Sequence, residues 1–322
     1  MPLFKTKGRK NWVIAFLIFV GVCAGVDALF THYIVLRGPN SACGRIAHLY
    51  ELNPNEIPVF GTSKVHGLYL GTNAFNYAQD GASFALTDVF LQIELAKKKT
   101  TPLVVEWQFF DSGSIGDEGI LIPFAGDPRM RSVLTQFHKM SWRYLVPGLR
   151  YFGYYDWMLK DFLNERASVT RVTRGSVEYL HTPPFNQAWF DQIVNRRLQM
   201  TNGFLIDDSL TALLIGEIKS HPQRLFILVA TPYHHSCFHN FQNEDNLKSV
   251  EATLQALPNV ELVDWSQMPY PDSAFVDTLH LRSPGTEDVS QKLRLKISQI
   301  LQQRKLPPLI TPEDTTGVAR AN

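Results

Sequence analysis

Cysteine is scarce in this 322-residue chain: Cys23, Cys43 and Cys237 are the only three, and none stand in a CxxC spacing. That excludes a zinc-ribbon or thioredoxin-type centre. Cys23 falls in an apolar run, so one disulfide, Cys43 to Cys237, is open in an oxidising compartment, and two free buried thiols are the alternative. Excess charge is lacking too, with 31 Lys+Arg against 30 Asp+Glu. No basic stripe with interleaved aromatics is present, so nucleic acid is not an expected partner. There is no internal repeat and no HExxH motif. What remains is enough chain for one large domain or two small ones around a sizeable core.

The first ten residues carry Lys5, Lys7, Arg9 and Lys10 and no acid. An apolar run from Trp12 to Phe30 follows, 19 residues, which is what a helix needs to cross a hydrocarbon layer of about 30 Å. We read residues 1–10 as a cytoplasmic tail, 11–35 as an uncleaved transmembrane anchor and 36–55 as a linker, with the remainder outside the cytoplasmic membrane. A cleaved signal sequence and a buried soluble helix share the same residues. Val22 before Cys23 is too bulky for lipoprotein cleavage, and Asp27 is a poor neighbour for a signal-peptidase site.

From 56 to 305 short apolar runs alternate with helical patterns. Ile57–Phe60, Phe75–Ala78, Leu103–Trp107, Leu225–Ala230 and Val260–Val263 read as strands. Helices are expected over Thr87–Lys98, around Leu210–Ile218 and Leu247–Leu257, and from Ser283 to Leu301. The last has Val289, Leu293, Ile297 and Leu301 at four-residue spacing. The strand, helix, strand rhythm predicts an α/β fold, three layers with a mainly parallel five-stranded sheet, preceded by one transmembrane helix. Residues 112–207, rich in aromatics between Trp142 and Trp157, break the rhythm and read as a largely helical insertion or lid. Residues 306–322 read as a disordered tail.

Chemistry centres on Phe60-Gly61-Thr62-Ser63. A strand ending in Gly-Thr-Ser places a hydroxyl at the carboxyl edge of a parallel sheet, where such folds bind ligands. A serine needs a base, and the base needs an orienting carboxylate. Asp277-Thr278-Leu279-His280 supplies both at a spacing of three, just before the last helix and so at the same edge. Ser63, His280 and Asp277 are the candidate catalytic residues. Acyl transfer also needs donors aimed at an oxyanion. The backbone N–H groups of Ser63 and Gly81 are candidates, together with the side-chain amide of Gln108 and, behind it, those of Asn73 and Asn76.

Phe60-Gly61-Thr62-Ser63, Asn76-Tyr77-Ala78 with Gly81, and Phe275-Val276-Asp277-Thr278-Leu279-His280-Leu281 with Gly285 resemble the first, second and last sequence blocks of the SGNH (GDSL-like) hydrolase superfamily. A single N-terminal anchor before such a domain is similar to extracytoplasmic proteins that modify polysaccharides or teichoic acids together with membrane-bound O-acyltransferases. The resemblance implies a three-layer α/β/α fold, Ser63 as nucleophile, His280 as base, Asp277 as its orienting acid and Gly81 as an oxyanion donor. It implies a cell-envelope polysaccharide or other acyl ester as substrate, with no cofactor. Two departures stand out. Thr62 replaces the common aspartate of the first block, and Trp107-Gln108-Phe109-Phe110-Asp111 lacks the asparagine of the third.

A scaffold or polymer-binding protein that keeps the fold without catalysis is the rival reading, against which all three triad residue types are present. His234, His235, Cys237 and His239 form a second cluster. The spacing of His235 and His239 admits a metal, but the segment starts as loop after Thr231-Pro232, so a pocket-lining or surface loop is expected and no metal.

Overall fold

The computed structural model describes residues 6–36, 42–82, 84–107, 142–166, 170–179, 183–200, 207–240 and 244–308. Its strands are β1 (Ile57–Phe60), β2 (Ala74–Asn76), β3 (Leu103–Glu106), β4 (Thr170–Thr173), β5 (Ser176–Tyr179), β6 (Phe226–Ala230) and β7 (Val260–Asp264). Its helices, among the described residues, are α1 (Thr6–Phe30), α2 (Ala42–Leu49), α3 (Ser63–His66), α4 (Phe84–Leu95), α5 (Tyr155–Arg166), α6 (Gln187–Met200), α7 (Asp208–Ser220), α8 (Glu244–Gln255) and α9 (Ser283–Gln303). The chain divides into two compact units, one comprising Met1–Ala47 with Asp117–Arg166, the other His48–Gly116 with Ala167–Asn322.

The second unit is built on a five-stranded sheet in the order β2-β1-β3-β6-β7, every pairing parallel. Runs such as Leu103–Glu106 and Phe226–Ala230 are buried along their whole length, as strands covered on both faces must be. Pro58 lies in the interior strand β1 and can donate no ladder bond. The strand accommodates it because pairing with β3 starts only at Val59. On one face Ile57, Val59, Val104, Ile227 and Val263 pack against Val289, Leu293, Ile297 and Leu301 of α9. The four-residue spacing thus becomes a buried stripe, each side chain contributing about 1.5–3 kcal/mol. The opposite face, which carries Phe60, Val105 and Leu228, is covered by α4 and α7, completing three layers.

From β1 the chain steps to β2 on one side and then returns to β3 on the other, so the strand order reverses between β1 and β3. Open α/β sheets bind ligands in the crevice at that point. Ser63 follows β1 there, and Glu106 ends β3 there.

Within the expected insertion α5 and α6 are helical, as the sequence suggests, and a pair of strands is added to them. Residues 170–179 form an antiparallel hairpin, whose turn is Arg174 at φ 50° and Gly175 at φ 79°, the double left-handed pair that two-residue hairpins favour. The turn docks on the outer strand of the sheet, Asn76 N–H donating to the Arg174 carbonyl at 2.8 Å. A side chain at 175 would strike the Asn76 carbonyl. The expected linker 36–55 also contains structure: α2 buries Ile46 and Leu49, and His48 Nε2 reaches Glu56 Oε2 at 3.0 Å.

In the first unit, the segment Asn11–Val35 has a mean hydropathy of 2.5 over its best window and is almost wholly exposed. It is long and apolar enough to cross a membrane. Its one acid, Asp27, is buried. Arg150 Nη1 meets it at 3.1 Å and the Gly148 N–H donates to it at 3.1 Å. Thr31 Oγ1 and Tyr151 OH hydrogen-bond at 2.7 Å, and the Phe30 ring packs on Tyr151 and Tyr155. Tyr144 and Tyr151 are therefore packing residues. Residues 1–5, all of the insertion before Trp142 and the tail from 309 lie outside the described residues.

Candidate active site

The β1 strand ends at Phe60 and Gly61 carries the turn. A side chain at Gly61 would collide with Val65 and would come within 2.7 Å of Glu106 Oε2. Only glycine lets the two strand ends approach this closely. Thr62 precedes α3 in extended conformation, the usual place for a capping hydroxyl, yet its side chain makes no cap bond. Its Oγ1 donates instead to Glu106 Oε2 at 2.9 Å, and its N–H donates to the same oxygen at 2.7 Å. Lys64 Nζ pairs with Glu106 Oε1 at 2.5 Å and donates to Tyr233 OH at 3.1 Å. Ser63 is thus clamped on both sides, by Thr62 and Lys64, to one buried carboxylate.

Burial pushes the Lys64 ammonium down. The Glu106 charge and the two hydrogen bonds more than offset this, and its pKa stands above the ordinary lysine value. Burial holds the Tyr233 phenol up against the opposing Lys64 charge.

Ser63 Oγ lies 2.7 Å from His280 Nε2. His280 Nδ1 is 2.9 Å from each Asp277 carboxylate oxygen. Asp277 and His280 sit on a tight loop closed by the Phe275–Leu281 bridge and by Val276 N–H donating to the His280 carbonyl at 2.8 Å. Asp277 Oδ1 accepts the N–H groups of Leu279 and His280 at 2.8 and 2.9 Å, the local bonding that Asp favours in turns. Burial pushes the Asp277 carboxyl up, but the His280 hydrogen bond and charge and the two backbone donors outweigh it and hold it below the usual carboxylate value. Gly285 lets the start of α9 close on this loop, since a Cβ there would sit 3.0 Å from the Ala274 carbonyl. Residues up to 217 positions apart in the chain are therefore in hydrogen-bond register, the Ser63 hydroxyl against the His280 imidazole and the imidazole against the Asp277 carboxylate.

The predicted donors fare differently. Gly81 occupies a left-handed turn, φ 69°, tied to the nucleophile loop by Gln79 N–H donating to the Gly61 carbonyl at 3.3 Å. Asn76 has another task. Its Nδ2 donates to the carbonyls of Val65, Leu68 and His66 at 2.8, 3.0 and 3.3 Å, and its Oδ1 accepts Ala78 N–H at 2.9 Å. It is fully buried, and it supplements the few backbone donors that a helix as short as α3 leaves for its last carbonyls, Val65 also accepting the Leu68 N–H at 3.0 Å. The amide therefore holds the far end of the helix that starts at Ser63, and has no hydrogen left for an oxyanion. Gln108 lies outside the described residues.

A cavity of about 850 Å³ opens beside the triad, with Ser63, His280, His66, Asp80, Arg282 and Arg294 among its walls. His66 Nδ1 meets Asp80 Oδ1 at 2.7 Å. The hairpin contributes Thr173, Ser176 and Val177 to the wall, and Ser176 Oγ donates to the Gly67 carbonyl at 2.8 Å. Glu106, Lys64 and Tyr233 surround the candidate site and are not singled out by the motif reading, and His66, which one turn beyond Ser63 reads from the sequence as structural, lines the cavity. The signals for two of them were an acid closing an otherwise apolar central strand and a lysine directly after the serine.

Cys237 is a buried thiol, its S–H donating to the Thr278 carbonyl at 3.1 Å. It therefore supports the triad loop and forms no disulfide. The side chains of Cys43 and His239 lie outside the described residues. Comparison with protein-family models and with curated proteins found no match.

Proposed function

We propose that this protein is a membrane-anchored serine acyl-ester enzyme of SGNH type, an O-acyltransferase or esterase acting on a cell-envelope polysaccharide outside the cytoplasmic membrane. The observation that carries the reading is the relay Ser63 Oγ to His280 Nε2 at 2.7 Å and His280 Nδ1 to Asp277 at 2.9 Å, opening on a cavity at the sheet's switch point.

Ser63 Oγ attacks the carbonyl carbon of the acyl donor as its proton passes to His280 Nε2. The tetrahedral oxyanion takes hydrogen bonds from the Ser63 and Gly81 N–H groups. His280 Nε2–H then protonates the departing alkoxide, leaving an acyl ester on Ser63. A water or sugar hydroxyl gives its proton to His280 and attacks that ester, releasing the acid or the acylated acceptor and restoring the serine. Asp277 stabilises the imidazolium formed in each half.

The anchor favours transfer over hydrolysis, since tethering raises the effective concentration of a site beside a membrane-borne donor. A membrane-bound O-acyltransferase is the partner this arrangement suits. Basic residues ahead of the apolar helix orient the catalytic unit away from the cytoplasm.

Incubation with p-nitrophenyl acetate, followed by mass spectrometry, should show one acetyl group on Ser63. Ser63→Ala and His280→Ala should abolish both the adduct and turnover. Turnover equal to the parent in either variant defeats the reading.

A further inference from the structure

The histidines after β6 are not used by the triad, yet they stand in an ordered polar cluster. His234, His235 and Asp272 each offer a donor atom, all within 4.8 Å of one another. His234 Nε2 and Asp272 Oδ1 are 3.2 Å apart. Two ligands bonded to zinc at about 2.0–2.1 Å in a tetrahedron are separated by about 3.3 Å, so this pair already has the edge length a four-coordinate ion requires. The His235 ring, exposed, lies with its centroid 4.1 Å from that of His234.

The surroundings hold the donors in place. His234 Nδ1 is 2.7 Å from Ser236 Oγ and accepts the Ser236 N–H at 3.4 Å, so Nε2 carries the proton shared with Asp272, the proton that a bound ion would displace. Its ring is wedged edge-on between Phe190, 5.2 Å away, and Phe275, 5.5 Å away. The second carboxylate oxygen, Asp272 Oδ2, accepts from Gln187 Nε2 at 2.9 Å. Metal-ligating histidines and carboxylates rely on such outer partners to fix ring and carboxylate orientation.

We infer that His234, His235 and Asp272 form a binding site for a divalent transition ion of the zinc class, with a fourth position open to water, and that the ion braces the triad loop. The brace follows from connectivity. Asp272 is five residues before Asp277 in the same loop. His234 N–H donates to the Thr278 carbonyl at 3.0 Å, the carbonyl that also accepts from Cys237 Sγ. An ion joining Asp272 to the two histidines ties both ends of that loop to the end of β6.

The test uses the full-length protein in detergent, freed of any purification tag and treated with chelator. Cobalt(II) titration should saturate at one ion per chain with a visible ligand-field band, which one equivalent of zinc removes. His235→Ala, a change at an exposed side chain, and Asp272→Asn should each weaken zinc binding by at least about tenfold. Zinc should raise the thermal midpoint of the parent and not that of His235→Ala. Ser63→Ala should bind zinc as the parent does, which separates this result from the ester-enzyme reading. Absence of a saturable cobalt band, or undiminished zinc affinity in His235→Ala, overturns the site.

Discussion

Thr62 and Glu106 are joined by two hydrogen bonds to one carboxylate oxygen, from the Thr62 N–H at 2.7 Å and from its hydroxyl at 2.9 Å. They bridge the ends of β1 and β3 and so fix the residue before Ser63 to the strand across the switch point. The other oxygen of the same carboxylate holds Lys64, the residue after it.

Glu106→Gln should therefore act on both stability and rate. It leaves the Lys64 ammonium buried without its counter-charge, a loss of about 3–5 kcal/mol when one partner of a buried pair is removed. Adding Lys64→Met should restore much of that stability without restoring the rate of Ser63 acylation. Thermal unfolding and the acylation rate of the single and double variants check the two halves of this prediction.

Asp277→Asn should lower turnover by about 10⁴-fold while His280 and Ser63 stay in place. The depressed carboxyl has a pH signature. Its stabilising contribution is present above the ordinary aspartate pKa of 3.8 and is lost as pH falls through the lower folded value. Unfolding midpoints from pH 2 to pH 5 should therefore fall more steeply in the parent than in Asp277→Asn.

Asp88 on α4 gives the opposite sign. Burial and the neighbouring Glu217 push its carboxyl up to about 6, with Gln92 opposing. The folded state thus holds a proton that the unfolded chain has released, and stability falls as pH rises from about 4 to about 6. Asp88→Asn should be neutral at pH 4 and stabilising at pH 7.5. After discounting for solvent screening the gain is about 1–2 kcal/mol, read as a rise in thermal midpoint at the higher pH alone.

Asn76→Ala removes the donors that satisfy three carbonyls at the end of α3. Stability should fall by about 1–3 kcal/mol. Loss of an oxyanion donor costs about 10²–10³ in turnover. The turnover of folded Asn76→Ala should fall far less than that, which activity measured well below its unfolding midpoint will decide.

The parallel sheet and its closing helix were legible because both depend on regular spacing. Val289, Leu293, Ile297 and Leu301 recur every four residues, and Leu225–Ala230 is unbroken, so burial dictates their place. Ser63, Asp277 and His280 were legible because nucleophile chemistry restricts residue type, and the two loops end at one sheet edge. Glu106 was hidden because its partners are adjacent only after β1 and β3 pair. Asn76 was misassigned since an amide near a strand end looks the same whether it faces a ligand or three backbone carbonyls. The Arg174-Gly175 hairpin was missed because its strands, Thr-Arg-Val-Thr and Ser-Val-Glu-Tyr, are mostly polar and lack the apolar run that marks the equally short β1 and β3.

The ion pair that buries Asp27 also sets a clock on biosynthesis. Its partners, Gly148 and Arg150, lie more than 100 residues downstream, Gly148 at a separation of 121. At synthesis rates of about 5–20 residues per second, the acid waits on the order of ten seconds for them. Throughout that interval Asp27 is without the Arg150 ion pair and the Gly148 N–H that hold it in the finished fold, so the C-terminal end of the apolar helix packs only after the segment around Arg150 has emerged. A single early acid makes the end of one helix wait on a segment synthesised much later.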